Sequence, residues 1–200
     1  MARPPLILAS ASPRRRELLE SAGLRFSVVP SDAIESIREG EAPDELVRRL
    51  AREKAAVVAE RAPDAVILAA DTVVALGAAL LEKPVDGEDA RRMLRALSGK
   101  AHQVWTGVAI ADGGRLQDFC VRTEVRFRDL SDEEIGAYVA SGEPMDKAGA
   151  YGIQGRAAAF VVGIQGSYTN VVGLPLAETL VALRAFAIVP SNGGPDSPPS

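Results

Sequence analysis

Residues 6–19 read LILASASPRRRELL. Leu6 to Ala9 form a short apolar run of the kind that makes a buried strand. Ser12 suits a helix N-cap and Pro13 the first helical position. Leu18, Leu19 and Ala22 then give one apolar stripe, and Gly23 a stop. A strand therefore feeds directly into a helix. The same alternation continues. FSVVP (26–30) reads as a second strand, and the polar residues 31–41 as a loop. Pro43 opens a long helix to about Glu60, with Leu46, Val47, Leu50, Ala51 and Lys54 at helical spacing. AVILAADTVVAL (65–76) is an apolar β run. The order strand, helix, strand, helix, strand predicts an α/β fold with helices flanking a sheet, not a bundle or a sandwich.

The second half is more mixed. Asp86 caps a predicted helix over 88–97, and residues 102–112 and 115–130 alternate as a hairpin turning at DGG. Ser131 with Glu134 is a capping box for a helix to about Ser141. Residues 142–173 are rich in Gly and polar residues, with AAAFVVGI as one β run. LPLAETLVALRAF (174–186) is a last amphipathic helix. No repeat is visible. The reading is one α/β domain over 1–188, followed by a disordered Pro, Gly and Ser tail over 189–200.

Composition narrows the function classes. The chain has 200 residues, is 47% hydrophobic and carries a net charge of −4. No apolar run approaches the roughly 18 residues that span a bilayer, so no membrane association is expected. Pro and Ser interrupt the N-terminal apolar stretch, which does not read as a signal peptide. Cys120 is the only cysteine, which excludes an intrachain disulfide and a cysteine metal cluster, and His102 is the only histidine, which argues against a histidine-rich metal site and a histidine-based triad. The expectation is a cytoplasmic protein. Basic residues are interspersed with acidic ones, so no nucleic-acid partner is expected. A small phosphorylated ligand needs only a few local arginines.

Arg14, Arg15 and Arg16 supply them. Cations in a helix's first turn oppose the dipole by about 0.3–1 kcal/mol each. They either face water or grip an anion that offsets this cost, and three together favour the grip. Ser10 and the free N–H groups of the helix start would join it. Asp71 is the second anomaly. A carboxylate inside an apolar β run is expensive unless it is paired, metal-bound or at a strand end lining a cleft. Otherwise it caps a turn. Lys54, Lys83 and the loop carboxylates Asp32 and Glu35 are ordinary surface groups when taken singly. Together with the arginines they suit a triphosphate and its divalent cation. The glycines of DKAGAYGIQG (146–155) allow close backbone approach, and Gln154 can meet a nucleobase edge. The Walker A and GxGxxG patterns are absent.

LASASPRRRELL, LAREKA, LAADTVV, EKP, LSGKAHQVWTGVAI, DKAGAYGIQG and GSYTNVVGLPLAE occur in this order over about residues 5–187. Together they resemble the Maf family of nucleoside triphosphate pyrophosphatases, once described as septum-formation inhibitors. The YGIQG form is similar to the branch acting on dTTP and UTP. The resemblance implies a mixed, elongated sheet whose flanking helices form two lobes around a cleft. It also implies release of pyrophosphate from a nucleoside triphosphate with Mg2+ or Mn2+, and a homodimer. Asp71 matches the presumed proton acceptor and, with Glu35, the metal-side carboxylates. Ser10, Arg15, Lys54 and Lys83 match the phosphate-binding set. Arg14, Thr72 and Gln154 match positions linked to substrate choice. The chain departs from the family's loop pattern at Ile34, where an acid is common. A nucleotide-binding regulator of cell division would need the same grip but no catalytic acid, so Asp71 favours the enzyme.

Overall fold

The computed structural model describes residues 4–190. Of the expected tail, residues 191–200 lie outside the described residues.

Strand β1 (Leu6–Leu8) lies between β2 (Ser27–Val28) and β3 (Val66–Leu76), parallel to both. Beyond β3 the sheet turns antiparallel. The strand β5 (Ala101–Asp112) pairs with β3, β6 (Arg115–Phe127) with β5, and β7 (Val161–Gln165) with β6. The short β4 (Ala79–Leu81) folds back on the end of β3. The result is one seven-stranded mixed sheet of order β2-β1-β3-β5-β6-β7, with β4 to one side. The expected α/β architecture of sheet and flanking helices is present.

Strand periodicity assigns the faces. Ile67 and Ala69 pack on Ala51, Ala55 and Val58 of α2 (Pro43–Ala59). Val66, Leu68 and Ala70 point the other way. They pack with Leu19 of α1 (Pro13–Ser21) and Leu183 of α6 (Leu176–Arg184). A further core fills the far end of the sheet. There Leu94 and Leu97 of α3 (Gly87–Leu97) meet Ile135 and Tyr138 of α4 (Asp132–Ala140), with Val74 and Phe127 of the sheet. A cleft of about 530 Å3 opens between these cores.

Helix ends follow local chemistry. The Asp86 carboxylate accepts the Asp89 N–H, and Ser131 and Glu134 form the reciprocal capping box. Three expectations change. Ser12 occupies the N-cap of α1, but its side chain makes no cap bond. The Ser12 N–H donates to Ser10 Oγ at 3.2 Å instead. The β run expected over AAAFVVGI begins only at Val161, because Arg156–Phe160 forms a 3-10 turn that buries Ala157 and Phe160 at a spacing of three. A five-residue helix, α5 (Tyr168–Val172), interrupts the segment read as irregular.

Candidate active site

The strand β3 crosses the middle of the cleft, and its alternation separates two functional side chains. Asp71 faces α2 and Thr72 faces α1 and α5. The α2 side depends on a glycine. Asp71 pairs with Gly107 of β5. A Cβ on Gly107 would lie 2.2 Å from the Val47 carbonyl oxygen, so the α2 backbone rests directly on β5. Lys54 lies two turns beyond Val47 on the same helix face. That close approach brings its ammonium to Asp71. Lys54 Nζ lies 2.5 Å from Asp71 Oδ1 and 2.7 Å from Glu35 Oε1. One buried ammonium thus holds two carboxylates. Desolvation raises the Glu35 pKa, but the Lys54 hydrogen bond and the charges of Lys54, Lys83 and Arg15 outweigh it. The carboxyl ends below its ordinary value.

The opposite side is built around Arg15. Its Nε donates to the Gly173 carbonyl at 2.7 Å, Nη1 to Ser10 Oγ at 3.1 Å and Nη2 to Thr72 Oγ1 at 3.1 Å. Thr72 is fixed in turn by Thr106 Oγ1 at 2.9 Å, its register partner on β5. Burial, with a smaller push from Arg14, lowers the Arg15 pKa, and Asp71 opposes the shift. Three of the five guanidinium N–H groups are used, and two remain for a ligand.

The three arginines therefore have different surroundings. Arg15 turns inward. Arg14 lines the cleft and meets Asp146 across it at 3.3 Å. Arg16 lies on the surface, 3.6 Å from Glu20.

The cleft lining contains all nine expected site residues: Ser10, Arg14, Arg15, Glu35, Lys54, Asp71, Thr72, Lys83 and Gln154. Lys83 and Gln154 are exposed, and Lys83 forms no ion pair among the described residues. Sequence reasoning missed Asp146 and Lys147. These flank the glycines singled out in DKAGAYGIQG and also line the cleft, with Lys147 Nζ 2.5 Å from Asp146 Oδ1. Their position in the glycine stretch was an available signal. Gly173 contributes only a carbonyl, which no side-chain pattern can announce.

The family model for Maf-like proteins matches residues 5–186. The chain belongs to the Maf-like protein family. Relatives of this Maf-like chain include a Myxococcus xanthus protein, 57% identical over 90% of this chain and 91% of its own. An Anaeromyxobacter dehalogenans protein is 56% identical over 90% and 93%. A Bacillus cereus protein is 49% identical over 92% and 96%. Each carries the name dTTP/UTP pyrophosphatase. Among solved structures, a HAM1 protein from Coxiella burnetii matches with a TM-score of 0.47 and 15% identity, covering 91% of this chain and 99% of that one.

A divalent cation can be tested against the donors present. Among the described residues no group of three or more His, Cys, Asp or Glu could hold a metal alone. Glu35 and Asp71 nevertheless share one ammonium, which puts two hard oxygen ligands together. Mg2+ characteristically binds one or two carboxylates and completes its shell with water and substrate phosphates. The donor set fits that mode and not an all-protein cage.

Among the described residues, no helix is long and apolar enough to cross a membrane.

Proposed function

We propose that the protein hydrolyses nucleoside triphosphates, dTTP and UTP among them, to the monophosphate and pyrophosphate. The observation that carries this reading is the Lys54 bridge between Asp71 and Glu35, set in a cleft with a cationic wall. The names of the relatives supply the substrate class.

The triphosphate lies across the cleft. The two remaining Arg15 N–H groups, Lys83 and the start of α1 take phosphate oxygens. Arg14 and Gln154 sit where they can select the rest of the nucleotide. Asp71 Oδ1 accepts from Lys54, and its other oxygen is left to orient the attacking water and take its proton. Attack on the α-phosphorus breaks the bond to the bridging oxygen, and pyrophosphate leaves. Positioning and charge neutralisation supply most of the acceleration. Glu35 and Asp71 are the residues to hold Mg2+ or Mn2+. Such an ion, when bound, neutralises phosphate charge and acidifies a coordinated water. The same reading takes the protein as a cytoplasmic homodimer.

The test is a panel of nucleoside triphosphates with Mg2+ or Mn2+, scored for pyrophosphate and monophosphate. Both products from dTTP and UTP support the reading. Binding of dTTP without turnover would overturn it in favour of a regulator, and release of inorganic phosphate in favour of a phosphotransferase.

A further inference from the structure

Glu35 presents a mechanical problem. It belongs to the segment from Val29 to Glu41, which has no helix or strand. Its neighbours on either side are exposed, and Ile34 is 85% exposed. Nothing in the local backbone keeps such a carboxylate in the cleft. A single side chain on α2 supplies the missing constraint. Arg49 is 7% exposed, very low for an arginine. Its Nε and Nη2 grip the two oxygens of Glu41 at 2.6 and 2.5 Å. Its Nη1 lies 3.2 and 3.1 Å from the two oxygens of Glu53, and Nη2 also donates to the Ser36 carbonyl at 2.8 Å. Ser36 is the residue next to Glu35. The loop is thus tied at Ser36 and at Glu41 to one guanidinium, itself braced by Glu53 one turn along α2.

Lys54 lies on the same helix, five residues on from Arg49. Both halves of the Glu35–Lys54 ion pair are therefore referred to one rigid element.

We propose that Arg49 is a positioning residue that clamps the 35–41 loop to α2 and so keeps the Glu35 carboxylate beside Lys54 and Asp71. Its relevance to turnover rests on the pyrophosphatase reading above. The clamp itself does not. Arg49 does not itself line the cleft, and none of its hydrogen bonds goes to Asp71 or to the Glu35 carboxylate. It acts through the Ser36 peptide and Glu41. Its planar fork matters as much as its charge, since a lysine ammonium cannot serve the Glu41 pair, Glu53 and the Ser36 carbonyl in that geometry.

The experiment compares Arg49→Met, Arg49→Lys, Glu35→Gln and the double variant Arg49→Met/Glu35→Gln. Two readouts are taken under conditions where all remain folded. The first is tryptic cleavage after Arg38, an exposed site within the loop, and it needs no activity. Arg49→Met should be cut about tenfold faster than the parent, with the thermal midpoint well above the assay temperature. An unchanged cleavage rate would overturn the clamp whatever the enzyme does. The second readout is pyrophosphate release. A misplaced catalytic carboxylate should lower kcat by about 10- to 100-fold with a smaller change in KM. Arg49→Lys should recover little of this. In the double variant the two losses should not multiply, because both act on the same carboxylate. Losses that multiply, or full rescue by lysine, would reduce Arg49 to general support of the fold. Absence of pyrophosphate release from the parent would sink the pyrophosphatase reading and leave the proteolysis result to decide the clamp.

Discussion

Lys54 Nζ lies 2.5 Å from Asp71 Oδ1, and both side chains are about nine-tenths buried. The same ammonium holds Glu35 at 2.7 Å. This arrangement makes Asp71→Asn an informative variant. The amide has nearly the same shape, and Lys54 keeps a carboxylate partner in Glu35, so the fold should survive. What is lost is the oxygen that can take a proton. General-base action contributes about 10²–10⁴-fold, so pyrophosphate release from dTTP should fall by that order. The measurement is kcat with circular dichroism as a check on folding. Near-normal turnover in a folded variant would remove Asp71 from the central role.

Arg14 and Arg15 should fail differently. Arg15 makes three hydrogen bonds, to Gly173, Ser10 and Thr72, that join α1 to β3 and to the end of α5. Leaving such partners unsatisfied costs about 1–3 kcal/mol, so Arg15→Ala should lower the Tm and weaken every triphosphate. Arg14 makes one partly exposed ion pair, with Asp146. Pairs of that kind contribute about 0–1 kcal/mol. Arg14→Ala should keep its Tm and change the ranking of substrates. Thermal unfolding and a substrate panel separate the two. Equal effects on every substrate would refute the division.

The strand-to-helix order, the hairpin, the Asp86 cap and the Ser131–Glu134 capping box were legible because each rests on spacing within a short window. Asp71 and Arg15 were legible because each charge stood where apolar neighbours or a helix dipole made it costly, whereas Lys54, Lys83 and Glu35 stood out only in combination and through the resemblance of their segments to the family. What was hidden is long-range. No pattern in ELVRRL says that Arg49 will reach back to Ser36, or that Gly107 will receive Val47. The strand β4 has three residues, too few for an alternating pattern to mark it. The 3-10 turn at Arg156–Phe160 was masked by apolar residues that also suit a strand.

Gly107→Ala tests the seating of α2. The added methyl would lie 2.2 Å from the Val47 carbonyl oxygen and 2.7 Å from the Arg48 nitrogen, both backbone atoms that cannot swing aside. The helix must move away from β5. Overpacking of this kind costs about 1–3 kcal/mol, so the Tm should fall. Because α2 carries Lys54, pyrophosphate release should fall as well, even at temperatures where the variant is fully folded. A variant with unchanged Tm and turnover would show that the helix does not rest on this glycine.

His102 predicts the acid side of the stability curve. It is 2% exposed, its Nε2 lies 2.8 Å from the Tyr151 hydroxyl, and its ring meets Phe127 edge-on. Burial pulls its pKa from 6.5 to about 4. The unfolded chain therefore takes up this proton before the folded one does. The contribution is complete above pH 6.5 and is lost progressively as the pH falls toward 4. Within that window the steepest loss from one such group is about 1.4 kcal/mol per pH unit. His102→Gln keeps a polar partner for Tyr151 but has no proton to gain. Urea denaturation from pH 7 to 4.5 should show a steep fall for the parent and a flatter line for the variant. A carboxylate with a depressed folded-state value, such as Glu35, begins to lose its contribution only as the pH nears its ordinary value of 4.5, and goes on losing it down through the folded-state value. Parallel slopes for parent and variant would mean that His102 takes up its proton in the fold at the same pH as in the unfolded chain, so that its burial adds nothing to the acid side of the curve.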